Sequence, residues 1–279
     1  MMDMELQYNN RARIPEHAPL FEGYARDSRA YRDERVKAGL AELAIAYGPS
    51  PRQTIDMFHA ERDGGSLLTV FIHGGYWQIF EPALFHHMAR GINAHGIPMA
   101  VIGYDLAPAA TLAEIVEQTK RACVFLWNRY KRRLVLTGHS AGGHLTACMV
   151  AGKWRAAGAD IDDLVPAGLA ISGVFELAPL LQTSMNQKLK LDESSAKQLS
   201  PIYWRPPRGA TIDAWVGGAE SEEFLRQSRT FAETWRTKGA DARVEVVDGA
   251  NHFTVIHALA DPESAMTARL AVLANTPVA

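Results

Sequence analysis

Short apolar runs and amphipathic stretches alternate along most of the 279-residue chain. Segments rich in Val, Ile, Leu and Phe predict β-strands at 53–59, 66–73, 97–104, 133–138, 166–172, 212–217 and 242–247. Between and after these segments, apolar positions three and four residues apart predict helices at 111–129, 142–157, 222–237 and 262–274. Because the strands are apolar on both faces, the pattern predicts an α/β fold with a mostly parallel central sheet and helices on both faces.

Two stretches depart from this alternation. Residues 1–50 are polar and aromatic, and within them an amphipathic helix is expected over 28–46 with Ser28 as its N-cap. Residues 174–208 contain four prolines among polar helix formers, which predicts a small cap-like insertion over one edge of the sheet. We therefore predict a single domain over 1–279, consisting of an N-terminal segment, the α/β unit and the cap.

Composition and charge narrow the classes of function. The chain has 29 Lys and Arg against 31 Asp and Glu, a net charge of −2, which gives no electrostatic reason to expect nucleic acid or a membrane surface as a partner. No apolar stretch reaches the ~20 residues needed to span a bilayer. The first ten residues lack the basic and apolar regions of a secretory signal, so a cytoplasmic location is expected.

The two cysteines, Cys123 and Cys148, lie in apolar, helix-like segments and are expected to pack in the core. They form no Cys/His cluster of the spacing that metal sites use. We therefore expect no metal and no other cofactor. The expected partner is a small-molecule substrate, and a homodimer is left open.

The segment Gly138-His139-Ser140-Ala141-Gly142 follows a predicted strand and opens a predicted helix. It fits the G-x-S-x-G pattern, a sharp turn that exposes a serine hydroxyl above an α/β sheet. A helix N-terminus also favours negative charge that develops beside the serine. Ser140 is therefore the predicted nucleophile.

A second glycine-rich turn, His73-Gly74-Gly75-Tyr76-Trp77, ends the strand predicted at 66–73. Such a segment turns backbone N–H groups toward the oxyanion of an acyl-transfer reaction. We assign the N–H groups of Gly75, Tyr76 and Ala141 to an oxyanion hole. His73 is expected to brace the loop by hydrogen bonding.

For a serine turn of this kind, the acid and then the histidine follow in chain order. Of ten histidines, His252 lies in the turn directly after the last predicted strand, where it can reach the carboxyl edge of the sheet. His257 lies one helical turn further on, and His139 and His144 are fixed by the backbone around Ser140. His252 is therefore the predicted general base.

The acid is expected in the loop after the strand at 212–217, where Glu220 lies 32 residues before His252. Its role would be to accept the Nδ1–H of the imidazole and fix its tautomer. Asp213 is inside the strand and Asp248 is only four residues from the histidine, so both are less suitably placed.

With these residues in place, the chain resembles the kynurenine formamidase (arylformamidase) branch of the α/β-hydrolases over roughly residues 50–260. The resemblance is carried by HGGYWQ at 73–78, GHSAGGHL at 138–145, SGVFEL at 172–177, TSMN at 183–186, SP at 200–201, EFLRQS at 223–228 and NHF at 251–253. It implies an α/β-hydrolase fold and matches the family's catalytic serine, acid and histidine to Ser140, Glu220 and His252. One departure is that the animal members carry aspartate at the position of Glu220.

The predicted function is thus a metal-independent serine hydrolase. From the resemblance, its favoured substrate is an aryl formamide such as N-formyl-kynurenine, which yields formate and an aromatic amine. Tyr76, Trp77, Met185 and Trp204 could stack on the aryl group, although core packing explains each of them equally well. Two alternatives stay open: a carboxylesterase or thioesterase for small acyl substrates, and a non-catalytic ligand receptor on the same fold.

Overall fold

The computed structural model describes residues 3–275, which fold around one eight-stranded sheet. The strands lie in the order β1-β2-β4-β3-β5-β6-β7-β8. Their bounds are β1 Ala41–Ala46, β2 Thr54–Phe58, β3 Leu68–Ile72, β4 Met99–Ile102, β5 Leu134–His139, β6 Ala167–Ile171, β7 Thr211–Gly217 and β8 Asp241–Val247. The strands from β4 to β8 in this order pair in parallel, whereas β2 pairs antiparallel with both β1 and β4.

Helices cover both faces of the sheet. They are α1 Met4–Tyr8, α2 Asn10–Arg13, α3 His17–Lys37, α4 Ala89–Ala94, α5 Leu112–Tyr130, α6 Ala141–Val150, α7 Asn186–Leu189, α8 Glu193–Gln198, α9 Glu222–Thr237 and α10 Ala265–Asn275. Short 3-10 helices lie at Pro82–Leu84, His86–Met88, Ala178–Gln182, Pro201–Tyr203 and Val255–Ala260. No helix within residues 3–275 combines the length and the apolar character that a membrane span requires.

The pattern of apolar positions explains this architecture. Strands β3, β4, β5 and β6 are buried at every residue, as expected when helices cover both faces of a parallel sheet. Two hydrophobic clusters result, one on each side of these strands. The predicted α/β-hydrolase fold class is confirmed, and each of the seven predicted strands is present with slightly different ends.

The prediction of one helix over 28–46 was wrong. Helix α3 begins eleven residues earlier, at His17, and ends at Lys37, so Ser28 is buried inside it rather than capping it. Gly39, with φ +69°, then reverses the chain. Residues 41–46 form the edge strand β1, because antiparallel pairing with β2 satisfies their backbone groups.

The helix predicted over 142–157 is also shorter than expected, since α6 ends at Val150 and turns follow. Residues 174–208 connect β6 to β7 and fold into α7, α8 and two of the 3-10 helices. Aromatic packing fastens this connection to α9, because Phe175 stacks on Phe231 at 3.9 Å between ring centroids. The indole of Trp235 also donates to the carbonyl oxygen of Pro201 at 2.8 Å.

Candidate active site

Ser140 lies in the tight turn between β5 and α6. Its backbone adopts φ 57° and ψ −115°, a conformation that L-residues rarely adopt and that strained functional turns retain. The turn requires a small residue at Gly142, because a Cβ there would run into the carbonyl oxygen of Ile72 on β3. The Ser140 N–H donates to the carbonyl oxygen of Ile171 at 2.8 Å, which ties the turn to β6.

The predicted base and acid meet behind this turn. His252 Nδ1 lies 2.6 Å from Oε2 of Glu220, and both side chains are buried. The other carboxylate oxygen of Glu220 accepts from the Ser172 hydroxyl at 2.5 Å and from the Gly217 N–H at 2.8 Å. These donors leave the carboxylate one orientation, with Oε2 facing the imidazole.

The loop that carries His252 is held from several sides. Its carbonyl oxygen accepts from Nε2 of His139 at 2.8 Å, and the two rings lie 4.6 Å apart. The ring of Phe224 packs 4.5 Å from the imidazole. Because burial holds the pKa of His139 well below its ordinary value, His139 is neutral and carries its hydrogen on Nε2.

The loop after β3 contains three consecutive residues with positive φ: Gly75 at 100°, Tyr76 at 50° and Trp77 at 56°. The N–H groups of Gly75, Tyr76 and Ala141 donate to no acceptor within residues 3–275, so they are free to bind an oxyanion.

His73 supports this loop from below. Its Nδ1 donates to the carbonyl oxygen of Gly74 at 2.8 Å, and its ring stacks on Tyr104 at 4.3 Å. The Tyr104 hydroxyl in turn donates to the His73 carbonyl oxygen at 2.8 Å. Burial lowers the pKa of His73 to about 4, so the ring is neutral and acts as a hydrogen-bonding brace.

A cavity of about 300 Å³ opens above Ser140. Five of the predicted site residues line this cavity. Glu220 does not line it and instead contacts the side of His252 that faces away from it. These five are Ser140, His252, Gly75, Tyr76 and Met185. Seven of the other fifteen lining residues are aromatic or aliphatic: Tyr8, Phe21, Tyr24, Ile79, Phe80, Phe85 and Phe253. The lining therefore suits a small aromatic molecule with its reactive group against the serine.

The prediction of substrate-binding residues was wrong for Trp77 and Trp204, since the structure places neither in the cavity lining. Trp77 is 0% exposed and packs edge-on against His144 at 5.1 Å, because the loop turns its side chain into the core. Trp204 packs against the core from the cap and donates its indole N–H to the carbonyl oxygen of Gln198. Core packing explains both residues.

Many of the lining residues that the sequence analysis did not predict come from the N-terminal segment. Tyr8, Asn10 and Arg11 lie on α1 and α2 or at their ends, Phe21 and Tyr24 lie on α3, and all five line the cavity. The aromatic composition of residues 1–50 was the available signal, but no motif placed them opposite Ser140.

The competing acids are engaged or exposed. Asp213 forms an ion pair with Arg269 at 2.5 Å, whereas Asp248 is exposed. His257 packs against Tyr24 at 5.3 Å between ring centroids, and it does not line the cavity.

Comparison with known proteins agrees with the fold described above. A family model described as the alpha/beta hydrolase fold matches residues 69–256, so the chain belongs to the α/β-hydrolases. It is a hydrolase of this family, as its sequence predicted. Its relatives include kynurenine formamidases, which confirms the resemblance seen in the motifs. The enzyme from Salmo salar is 29% identical over 245 residues, covering 84% of this chain and 82% of the relative. The enzyme from Drosophila melanogaster is 29% identical over 249 residues, covering 84% and 81%.

A solved structure extends the comparison to nearly the whole chain. It is a protein from Silicibacter sp. TM1040 that carries a provisional thioesterase assignment. The two chains are 34% identical, with a TM-score of 0.87 over 96% of this chain and 98% of the other. The N-terminal segment is thus included in a shared fold.

Proposed function

We propose that this protein hydrolyses aryl formamides, with N-formyl-kynurenine as the favoured substrate, through a triad of Ser140, His252 and Glu220. The observation that carries the proposal is the short, buried contact between His252 and Glu220 beside the strained Ser140, with serine and histidine lining one aromatic cavity. Similarity to kynurenine formamidases supports the choice of substrate class.

The orientation of Glu220 dictates how the proton moves. Because Oε2 accepts from Nδ1–H, the Nε2 atom of His252 has a free lone pair and takes the proton of the Ser140 hydroxyl. The serine oxygen then bonds to the formyl carbon. The negative charge moves onto the formyl oxygen, where the N–H groups of Gly75, Tyr76 and Ala141 stabilise it.

Collapse of this intermediate breaks the C–N bond, and Nε2–H of His252 protonates the departing aromatic amine. The formyl group stays on Ser140 as an ester. Water, deprotonated by the same imidazole, attacks the ester carbon. The imidazole gives this proton to the serine oxygen as the ester bond breaks, and the released formic acid loses its own proton to solvent to become formate. No oxidant or reductant is needed at any step.

The decisive experiment compares substrates. We expect N-formyl-kynurenine to be hydrolysed with a higher kcat/KM than p-nitrophenyl acetate, and Ser140→Ala to abolish both activities and labelling by a covalent serine-hydrolase probe. An ester preference of ~100-fold, about 2.7 kcal/mol, would refute the formamidase assignment.

That result would favour the second candidate function, a carboxylesterase or thioesterase. The thioesterase assignment of the similar Silicibacter protein supports this candidate. Both reactions use the same nucleophile and oxyanion hole, so the substrate ratio decides between them. Full biological function in Ser140→Ala would instead indicate a ligand receptor.

A further inference from the structure

The charged side chains of the cavity lining are confined to three residues on the N-terminal segment and the cap, Glu5, Arg11 and Lys188. Arg11 and Lys188 are exposed and also line the cavity, so they lie where it opens to solvent. The guanidinium of Arg11 lies 5.9 Å from the ring centroid of Phe21, which belongs to the same lining.

Neither cation is neutralised by a neighbour. Within residues 3–275, no acidic side chain forms an ion pair with Arg11 or Lys188. The carboxylate of Glu5 already accepts from the N–H and the hydroxyl of Ser184, each at 2.8 Å. The opening of the cavity therefore carries two unpaired positive charges and one negative charge held by the cap.

We propose that Arg11 and Lys188 bind a carboxylate group of the substrate while its aryl formamide reaches Ser140. This inference rests on the proposed function and narrows its substrate class to aryl formamides with an anionic tail. A guanidinium presents a fork of N–H groups that matches a carboxylate, and an ammonium adds a point charge. Each carboxylate oxygen of Glu5 can accept a further hydrogen bond beside the one from Ser184, so Glu5 is able to pair with an ammonium group of the same substrate. An α-amino acid head therefore matches these three charges.

The rest of the lining indicates which residues bind the aryl ring and which bind the charged head of the substrate. The aromatic and aliphatic residues hold the aryl ring by area and shape, and they give no reason to prefer a charged substrate. The two cations lie on helices α2 and α7, outside the elements that carry the predicted triad. Their removal should therefore change substrate binding and leave the chemical step intact.

The test compares N-formyl-kynurenine with 2′-formamidoacetophenone, which has the same ring and formamide but lacks the amino acid head. In Arg11→Gln/Lys188→Gln, we expect kcat/KM for N-formyl-kynurenine to fall about tenfold through KM, with the neutral analogue unaffected. The loss should shrink at high salt, since exposed charge pairs are screened. Arg13→Gln is the matched control, because Arg13 is an exposed arginine on the same helix that does not line this cavity.

An equal loss for both formamides, or no loss for either, would overturn the inference. A binding measurement separates this failure from a failure of the proposed function. Calorimetry on Ser140→Ala with kynurenine and 2-aminoacetophenone reports recognition of the amino acid head without any turnover. Tighter binding of kynurenine that disappears when Arg11 and Lys188 are replaced supports the inference even if no formamide is hydrolysed, and equal binding of both compounds contradicts it.

Discussion

Replacing Glu220 by glutamine tests the proposed acid with almost no change in shape. In the native site, Oε1 accepts from the Ser172 hydroxyl and the Gly217 N–H, and Oε2 faces Nδ1 of His252. A glutamine amide must keep its oxygen toward Ser172 and Gly217, because its NH₂ group would meet two donors there. Its NH₂ group then points at Nδ1, which can accept this hydrogen bond only without a proton.

The substitution therefore fixes the wrong tautomer of His252. With its hydrogen on Nε2, the imidazole cannot take the proton of Ser140, although the pocket and the oxyanion hole are unchanged. The equivalent aspartate-to-asparagine change in serine proteases lowers kcat by about 10⁴, which corresponds to about 5.5 kcal/mol. We expect a loss of this order in Glu220→Gln.

The assay is kcat for N-formyl-kynurenine, measured together with thermal unfolding to show that the variant is folded. Asp248→Asn is the control, since Asp248 is exposed in the loop that carries His252 and should lose less than twofold. A Glu220→Gln enzyme that keeps more than a tenth of the wild-type kcat, or a large loss in Asp248→Asn, would show that the acid lies elsewhere.

Three further predictions concern stability. Burial lowers the pKa of three histidines to about 4, so the unfolded chain binds more protons than the folded chain as the pH falls through 6.5. The free energy of unfolding, measured in urea, should therefore fall by about 2 kcal/mol for each of these histidines between pH 7 and pH 5. A free energy of unfolding that does not change with pH would contradict this. These histidines are His73, His87 and His144. Gly142→Ala should lower the free energy of unfolding by at least about 3 kcal/mol, or prevent folding, because the new Cβ would clash with the Ile72 carbonyl oxygen. Gly23→Ala, inside α3, should instead raise it by about 0.5–1 kcal/mol, and denaturant titration measures both changes. Tyr8→Phe should cost about 1–3 kcal/mol in the same titration, since the hydroxyl donates to buried Glu223 at 2.9 Å; an unchanged midpoint would refute it.

The sequence predicted those parts of the molecule whose physical cause is local. Strands β3 to β6 are buried on both faces, so their apolar runs are unbroken and easily read. The turn at Ser140 requires small neighbouring residues, and the glycines at 138 and 142 make this requirement visible in the sequence. Glu220 and His252 were found because each follows a strand at the same sheet edge, and the structure places their side chains 2.6 Å apart.

What the sequence could not predict depends on partners distant along the chain. Strand β1 has a weak pattern of its own and exists because β2 offers an antiparallel edge. Trp77 resembled a substrate-stacking residue because it directly follows Gly75 and Tyr76, whose N–H groups are the predicted oxyanion donors. Its direction, however, is set by a backbone φ of 56°, which turns the indole toward His144 in the core.

The N-terminal segment is the largest such case, and its attachments explain how it helps to form the cavity. The Tyr8 hydroxyl donates to Glu223 at 2.9 Å and accepts from Gln227 at 2.6 Å. Both partners lie on α9, the helix that begins two residues after Glu220. Burial raises the pKa of Tyr8, so its hydroxyl stays protonated and keeps this role at any physiological pH. The Tyr76 hydroxyl donates to the Tyr8 carbonyl oxygen at 2.6 Å, which joins the segment to the loop after β3 as well. The segment is thus fixed both to α9 and to the loop after β3. Because its residues line the cavity at Ser140 without belonging to any catalytic motif, we expect them to influence which substrates reach the predicted nucleophile.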